Sequence, residues 1–576
     1  MVNLKINGMP YEVGDDLTIL EACREASIDI PTLCYLKDIN QIGACRMCMV
    51  EVKGARTLVA SCVYPINEGM EIFTNTPKVQ ESRKMTLKML LSVHERKCLS
   101  CTRSGSCELQ ALCNEFGVDT EDSWEGSKPE GAKDTSTIYL ERDNSKCILC
   151  RRCVAACQNQ YVSVIGANNR GFDTAIGCAF EGKLADATCV GCGQCITACP
   201  TGALKEKDNV QDVLAAIADP DKYVVVQTAP AVRAALGEEF GMPIGTNVEG
   251  KMVAAIRRLG FDKVFDTDFG ADMTIMEEAN EFIERVQNGG KLPIITSCSP
   301  GWVKFCEHYY PDMLDNLSSC KSPQQMTGAL LKTWYAQMNN IDPEDIVSVS
   351  VMPCTAKKFE INRDDQAAAG VQDVDFSLTT RELAKMIKLA GLNFNRLPDE
   401  KFDPAMGDST GAAVIFGATG GVLEAALRTA ADVLTGEDVQ DIEYKEIRGT
   451  AGFKEATYNV AGIEVKVAVV SGLSNADALL KKVRAGEANY HIIEVMCCPG
   501  GCVNGGGQPI VPASIKNFTD VKALRASALY NQDAAMPLRK SHKNPLVQKC
   551  YDEFLGKPGS HKAHEILHTT YVVRGK

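Results

Sequence analysis

Apolar and polar residues alternate over residues 2–6 and again over 11–13, and Asn7-Gly8 lies between these two runs. Asn-Gly between alternating segments is a strong indication of a two-residue β-hairpin. Thr18-x-x-Glu21 follows and forms a capping box, which predicts the start of a helix. Residues 79–115 have a helical pattern with a cysteine-rich interruption. The first part of the chain is therefore predicted to be a small α+β unit followed by helices.

Beyond residue 210 the pattern changes to nearly continuous apolar runs separated by helical segments. Such runs are typical of a mainly parallel sheet that is covered on both faces. The predicted strands are 223–226, 293–295, 347–351, 465–470 and 492–495, and the clearest predicted helices are 274–288 and 380–390.

These patterns divide the chain into four predicted domains. A small domain over 1–78 precedes a helical, cysteine-bearing domain over 79–125, and the polar stretch 118–135 is predicted to be a loop or linker. A cysteine-repeat domain follows over 126–209, and a large α/β domain over 210–576. The fold class is multidomain, with α+β domains before an α/β domain.

The composition is that of a folded globular protein, with 45% hydrophobic and 23% charged residues among 576. The first residues lack the apolar core of a signal peptide, and no run of about 18 apolar residues predicts a membrane span. The formal net charge of −13 argues against nucleic acid as a partner. The chain contains 26 cysteines, and a long chain without an export signal keeps its thiols reduced. We therefore expect a cytoplasmic, metal-binding protein without membrane or nucleic-acid contacts.

The first cysteine group lies in the loops around the predicted hairpin and helix. It consists of Cys34, Cys45, Cys48 and Cys62. Four thiolates that converge from loops suit a 2Fe–2S cluster, and the alternative is a structural zinc ion. We favour the cluster because further cluster motifs follow.

The second group combines one histidine with three cysteines, namely His94, Cys98, Cys101 and Cys107. Alone, it fits zinc as well as iron. Beside other cluster motifs we favour a 4Fe–4S cluster with one histidine ligand. Histidine is neutral where a thiolate would be anionic, so it should raise the reduction potential of the cluster.

An internal repeat gives the strongest chemical prediction. In two-cluster ferredoxins, the first three cysteines of each C-x2-C-x2-C-x3-C run hold one cubane, and the fourth binds the other cubane. Pro200 follows the last cysteine, as in the bacterial pattern. The repeat predicts one cubane on Cys147, Cys150, Cys153 and Cys199, and a second on Cys157, Cys189, Cys192 and Cys195.

Three more cysteine segments follow predicted strands of the α/β domain. Cys298 lies in TSCSPGW, Cys354 in MPCTAKK, and Cys498 and Cys502 in MCCPGGC. Ligands of parallel sheets gather at the carboxyl ends of strands, so these thiols are predicted to face one crevice. Clusters in series conduct electrons, so this crevice is the predicted site where electrons are produced or consumed.

These segments resemble the active-site motifs of the iron-only (FeFe) hydrogenases. TSCSPGW, MPCTAKKFE and EVMCCPGGCVNGGGQP carry the resemblance, supported by FGADMTIMEEA, SLTTRELAKMI and FGATGGV. It covers essentially the whole chain and is nearest to the clostridial monomeric form with four accessory clusters. It implies an N-terminal β-grasp ferredoxin-like domain, a small His/Cys cluster domain, a bacterial-ferredoxin-like two-cluster domain, and a catalytic domain with parallel sheets.

The resemblance also implies the cofactors and the ligands of the active site. The cofactors would be one 2Fe–2S cluster, three accessory 4Fe–4S clusters, and an H-cluster. The H-cluster is a 4Fe–4S cubane bridged to a two-iron centre with carbon monoxide, cyanide and dithiolate ligands. Cys354, Cys498 and Cys502 would hold the cubane, with Cys502 as the bridge, and Lys357 would hydrogen-bond a cyanide. Lining residues would be Pro230, Gln324, Met352, Phe416 and Met496.

A proton route is implied by the same family. Protons would pass from Cys298 through Glu278, Ser318 and Glu281 to the surface at Arg285. From the residues alone, two glutamates three apart on one helix more often mark a solvated face.

One position departs from the family pattern, which has two adjacent cysteines before the proline. Ser299 occupies the place of the second, which is a cubane ligand, and a serine alkoxide matches iron–sulfur iron less well than a thiolate. Three alternatives remain open: ligation by Ser299, recruitment of Cys298 with Ser299 relaying protons, or replacement by Cys497 or Cys320.

The predicted activity is reversible hydrogen metabolism, 2H⁺ + 2e⁻ ⇌ H₂, with electrons exchanged with a ferredoxin or flavodoxin. Maturation proteins would supply the H-cluster, and the basic segment 94–103 is a candidate docking site for an acidic carrier. Two alternatives are kept. The chain is the catalytic subunit of an NADH- and ferredoxin-linked complex, or it is a non-catalytic iron–sulfur carrier or assembly factor.

Overall fold

A computed structural model describes residues 1–119, 124, 126, 133–460 and 462–575. Within these residues, no helix is long and apolar enough to cross a membrane. The architecture is a mixed α/β arrangement of several domains, which contact one another closely.

The first 119 residues contain one mixed five-stranded sheet and three helices. The sheet order is β2-β1-β5-β3-β4, with β1 and β5 parallel. The predicted hairpin forms around Asn7-Gly8, and the Thr18 side chain and Glu21 make the predicted capping box. The elements are β1 (Val2–Ile6), β2 (Met9–Val13), α1 (Ile19–Glu25), β3 (Met49–Val52), β4 (Val59–Ala60), β5 (Glu71–Phe73), α2 (Pro77–Val93) and α3 (Glu108–Phe116).

The next segment contains short strands and the two helices of the cysteine repeat. Its three-stranded sheet has the order β10-β7-β6, and β8 pairs with β9 in a separate hairpin. The elements are β6 (Lys133–Asp134), β7 (Leu140–Asp143), α4 (Arg152–Asn159), β8 (Gly166–Asn168), β9 (Ala175–Gly177), α5 (Gln194–Ala198) and β10 (Leu204–Glu206).

From residue 210 onward, strands alternate with helices as the sequence predicts. The elements are α6 (Val210–Ala218), β11 (Tyr223–Thr228), α7 (Pro230–Arg233), α8 (Glu249–Arg258), β12 (Lys263–Asp266), α9 (Thr267–Gln287), β13 (Ile294–Ile295), α10 (Pro300–Tyr309), α11 (Pro323–Leu330), α12 (Ala336–Asn339), β14 (Ile346–Met352), α13 (Lys357–Glu360), β15 (Phe376–Thr379), α14 (Thr380–Leu389), α15 (Gly411–Val414), α16 (Gly421–Thr435), β16 (Phe453–Val460), β17 (Ile463–Ser471), α17 (Leu473–Arg484), β18 (Ile492–Met496), α18 (Ala513–Lys516), α19 (Val521–Ala535), α20 (Pro545–Cys550) and α21 (His561–Leu567).

These strands form two four-stranded sheets, both mainly parallel. The order β12-β11-β14-β15 is parallel throughout, and β13-β18-β17-β16 is parallel except for its last pair. Burial alternates along the antiparallel strand β16, as in a strand with one solvated face. The two sheets matter for function because β14 comes from one and β18 from the other.

Two predicted boundaries differ from the structure. Helix α9 begins seven residues before the predicted 274, because the Asp266 side chain accepts a hydrogen bond from the Asp268 N–H and caps the helix there. Strand β6 lies inside the predicted linker 118–135, and it pairs with β7. Most of that linker lies outside the described residues.

Buried polar side chains join the cysteine-bearing segments to one another and to the α/β region. Arg152 donates two hydrogen bonds of 3.0 Å to the Glu108 carboxylate and one to the Tyr35 carbonyl. Gln160 donates to the Cys497 carbonyl and accepts from the Leu473 N–H. These contacts hold the cysteine loops in a fixed relation to the α/β region.

Candidate metal centres

A cavity lies where the ends of β14 and β18 meet the start of α10. The predicted strand-end thiols all reach it, although they come from distant parts of the chain. Its polar and sulfur-bearing lining includes Cys192, Cys298, Ser299, Gln324, Met352, Cys354, Lys357, Met496, Cys497, Cys498 and Cys502.

Glycines allow the two ligand loops to approach each other closely. A Cβ atom on Gly505 would lie 2.0 Å from the Pro353 carbonyl oxygen, so the loop after β18 touches the loop after β14 through backbone alone. Gly501 has a φ of 94°, and a Cβ there would lie 2.6 Å from the Thr419 nitrogen. Larger residues would push Cys498 and Cys502 away from Cys354.

A single lysine places positive charge in this cavity wall. The Lys357 ammonium donates hydrogen bonds to the Glu360 carboxylate and the Ser322 hydroxyl, both at 2.7 Å, and lies 3.3 Å from the Cys298 carbonyl. A buried cation so held has little freedom to move, which suits the fixing of an anionic ligand.

The five residues that the resemblance assigns to the pocket all line the cavity. They are Pro230, Gln324, Met352, Phe416 and Met496. Gln324 is fixed because its amide donates to Glu360 and its carbonyl oxygen accepts from the Ser350 hydroxyl. The remaining four make most of this wall apolar.

A line of hydrogen-bonding groups leads away from the cavity. Burial and then the charge of Glu278 raise the pKa of the Cys298 thiol. Ser318 lies near the Glu278 carboxyl, and its hydroxyl donates to Glu281 at 3.0 Å. Arg285 binds the same carboxylate at 2.5 Å. The structure thus brings together the residues of the implied proton route in their implied order.

The alternative of a solvated glutamate face is wrong. Only 7% of Glu278 is exposed, and the Glu281 side chain is 13% exposed. Helix α9 packs this face inward, against α11 and α16. Burial raises the pKa of Glu278 to about 8, because an apolar setting disfavours its ionised form.

This shift predicts how stability depends on pH. The native carboxyl keeps its proton up to about pH 8, whereas the unfolded chain releases it near 4.5, so native stability falls as pH rises through that window and then levels off. We expect the difference between the thermal unfolding midpoints, Glu278→Gln minus wild type, to increase as the pH is raised from 6 to 9. Glu284→Gln, on the exposed side of the same helix, is the control. If the thermal midpoints of all three proteins changed with pH by the same amount, the prediction would be contradicted.

The first cysteine group is assembled by the loops of the five-stranded sheet. The Sγ atoms of Cys48 and Cys62 lie 3.3 Å apart. The backbone N–H groups of Cys34 and Cys45 each point at the other's sulfur, at 3.4 and 3.5 Å. Cys34 is also in hydrogen-bond contact with Cys62. All four predicted ligands therefore meet.

The second group lies at the end of α2 and before α3. His94 is buried at the end of α2, Cys98 is exposed, and Cys101 and Cys107 are partly buried. The charge of Cys101 is among the influences that raise the pKa of Cys107, after burial. The segment is thus at the surface, with its histidine directed inward.

The repeat cysteines lie on and beside two helices that pack together, α4 and α5. Besides burial, the charges of neighbouring thiols raise the pKa values of these cysteines. Beyond burial, Cys147 and Cys150 both respond to Cys199, whereas Cys157 responds to Cys192 and Cys189. The two runs are therefore close together, and the exchange of Cys157 and Cys199 between two clusters stays a prediction.

Packing links the cysteine groups in a continuous series. One hydrophobic cluster contains Cys34, Cys107 and Cys150, which belong to three different groups. Cys157 and Cys192 pack against a second cluster, which includes Cys497 beside the cavity. Cysteines of successive groups therefore share hydrophobic clusters between the N-terminal domain and the cavity.

No three His, Cys, Asp or Glu side chains among the described residues converge tightly enough to hold a single metal ion. The ligands of a cluster lie further apart, because they are divided among two or four irons.

Two features were missed from the sequence. Buried Glu277, next to Glu278, accepts hydrogen bonds from Tyr551 and Gly559 and pairs with His568 at 3.1 Å. No local pattern joins these residues, since about 290 positions separate the pair. The candidate docking segment 94–103 is also less available than expected, because Arg103 is buried and donates to the Cys199 carbonyl.

The fold and the site define a multidomain iron–sulfur oxidoreductase. The family model of the iron-only hydrogenase large subunit, C-terminal domain, matches residues 222–506, and that of the iron hydrogenase small subunit matches 519–574. A 2Fe–2S cluster binding domain matches 1–77, the NADH-ubiquinone oxidoreductase-G iron–sulfur binding region matches 83–122, and a 4Fe–4S dicluster domain matches 146–203.

Full-length relatives agree. The NADP-reducing hydrogenase subunit HndD of Solidesulfovibrio fructosivorans is 49% identical, over 100% of this chain and 99% of that protein. Iron hydrogenase 1 of Clostridium pasteurianum is 46% identical, over 99% of this chain and 100% of that protein. A structure of a variant of the apo [FeFe]-hydrogenase HydA1 from Chlamydomonas reinhardtii is 42% identical with a TM-score of 0.58, and the match covers 64% of this chain and 100% of that one. The chain belongs to the iron-only (FeFe) hydrogenase family and is a hydrogenase.

Proposed function

We propose that the protein interconverts protons and H₂ reversibly, 2H⁺ + 2e⁻ ⇌ H₂, and exchanges the electrons through a series of iron–sulfur clusters. One observation carries this proposal. Cys354, Cys498 and Cys502 share a cavity with a buried cation, and a line of acidic groups leads from that cavity to the surface.

The donor sets support one 2Fe–2S cluster, three accessory 4Fe–4S clusters and an H-cluster. Residues 1–78 would be a β-grasp ferredoxin-like domain that holds the 2Fe–2S cluster on Cys34, Cys45, Cys48 and Cys62. His94, Cys98, Cys101 and Cys107 over 79–125 would hold one cubane, and the repeat cysteines over 126–209 the other two. The catalytic domain over 210–576 would hold the H-cluster on Cys354, Cys498 and Cys502.

The bound H-cluster would supply the redox chemistry on hydrogen, and the protein groups would supply position and protons. Lys357 would hold a cyanide ligand with its fixed ammonium group. The Cys298 thiol would exchange protons with the reacting centre, and Glu278, Ser318 and Glu281 would carry them to Arg285. The apolar wall around Phe416 and Met496 would exclude water.

We infer a ferredoxin or flavodoxin as the electron carrier in a reduced, cytoplasmic setting, with maturation proteins that insert the two-iron centre. The exposed loop around Cys98 is the proposed entry point for electrons, since Leu99 beside it is fully exposed.

A second candidate is the catalytic subunit of a pyridine-nucleotide-linked complex. The 49% identical relative is a subunit of an NADP-reducing hydrogenase. This chain has no GxGxxG that follows a strand, so flavin and nucleotide would reside on partner subunits.

Infrared spectroscopy of the mature protein tests the function directly. We expect bands of metal-bound carbon monoxide and cyanide, together with H₂ evolution from a reduced ferredoxin. A fully iron-loaded protein with neither bands nor H₂ turnover would be a carrier or assembly factor instead. Co-purification with a flavoprotein and H₂-dependent NADP⁺ reduction would favour the second candidate.

A further inference from the structure

Three thiols of the cavity are assigned as cubane ligands, and the residue in the fourth position is a serine. A cubane has four irons to bind, and the residues around Ser299 show which group is placed to complete the set. This inference rests on the proposed function, because it assumes a 4Fe–4S cluster in the cavity.

Ser299 itself lies at the cavity wall, immediately before α10. Its hydroxyl oxygen accepts a hydrogen bond from the backbone N–H of Cys497 at 3.2 Å. The serine is therefore tied to Cys497, and it presents only a weakly acidic alcohol to a metal that prefers thiolate.

Cys497 lines the same cavity and is 4% exposed. Cys498 and Cys192 line this cavity as well. The Cys497 sulfur lies over Gly301, where a Cβ would be only 2.8 Å away, so the first turn of α10 leaves it room. Cys497 thus brings a soft donor to the cavity wall beside Ser299.

The other two candidate thiols have different surroundings. Cys298 lines the same cavity but packs with Phe416 and Met496, near Glu278 where the proton line begins. Cys320 lines a different cavity, and its thiol is directed at Glu281, 3.8 Å away.

We propose that Cys497 is the fourth protein ligand of the active-site cubane, and that Ser299 supports it through the hydrogen bond from the Cys497 backbone. The thiolate has moved from one loop of the cavity to the adjacent one. The consequence is a pair of neighbouring cysteines, Cys497 and Cys498, that both bind the same cluster.

Iron and sulfide analysis with electron paramagnetic resonance tests this without reference to turnover. Four full-length proteins are compared: the wild type, Cys497→Ala, Ser299→Ala, and Cys497→Ala combined with Ser299→Cys. We expect Cys497→Ala to lose about four irons per chain and the signal of the active-site cubane. Ser299→Ala should keep both, and the double variant should regain them.

The accessory-cluster signals report in every sample whether the chain has folded. Cubane loss in Ser299→Ala, with a full complement in Cys497→Ala, would overturn the proposal in favour of serine ligation. Full complements in both single variants would overturn it as well, in favour of Cys298. Failure of the proposed function is recognised separately, as a wild type with all its iron but no carbon monoxide or cyanide bands.

Discussion

Glu278→Gln lowers H₂ turnover by about 10²–10⁴-fold, the range by which a positioned acid–base group accelerates proton transfer. Glutamine keeps the shape of the side chain and its contact with Ser318, but it neither gains nor releases a proton. Protons then stop between Cys298 and the Ser318–Glu281 pair, which lies 3.0 Å apart. Turnover with a chemical reductant is the measurement, because it bypasses the electron carrier.

Glu277→Gln is the matched control for this prediction. Glu277 is the preceding residue on α9 and equally buried, but it faces Tyr551 and His568 instead of Ser318. Turnover in this variant should stay within a few-fold of the wild type. Unchanged infrared bands in Glu278→Gln would show that the metal centre is intact. Comparable losses in the two variants would mean that α9 matters for packing and not for proton transfer.

Local patterns were sufficient to predict much of the fold. The hairpin at Asn7-Gly8 and the capping box at Thr18 depend on residues within a few positions of each other, so their chemistry is visible in the sequence. The division of the later strands into two sheets depends on pairings across hundreds of residues. No periodicity records such pairings, so the place of each strand in its sheet could not be derived from the pattern alone.

In the candidate site, too, local features could be predicted from the sequence and features that depend on distant contacts could not. Fixed spacing in the cysteine repeat was sufficient to predict two cluster motifs that lie close together, because the geometry of a cluster imposes that spacing. The burial of Glu278 depends on how α9 packs against distant helices, so the residues alone favoured a solvated face. The contact between Ser299 and Cys497 likewise joins loops about 200 positions apart.

The second large effect concerns Lys357, whose charge is the fixed positive group of the cavity wall. Lys357→Met removes that charge and the three hydrogen bonds to Glu360, Ser322 and the Cys298 carbonyl. We expect H₂ turnover to fall by about 10²–10³-fold, as when a single preorganised donor is removed from an active site. The cyanide bands should shift or disappear in the infrared spectrum.

Loss of a buried ion-pair partner also lowers the free energy of unfolding by about 3–5 kcal/mol. The control variant must therefore lose a comparable buried ion pair. Lys358→Met does so, because the neighbouring Lys358 pairs with buried Glu382 at 3.0 Å and lies outside the cavity lining. If both variants lower the thermal midpoint but only Lys357→Met loses turnover and alters the cyanide bands, the charge acts on the bound ligand. Equal losses of turnover in the two variants would mean that Lys357 acts through packing and not on the bound ligand, because only Lys357 lines the cavity.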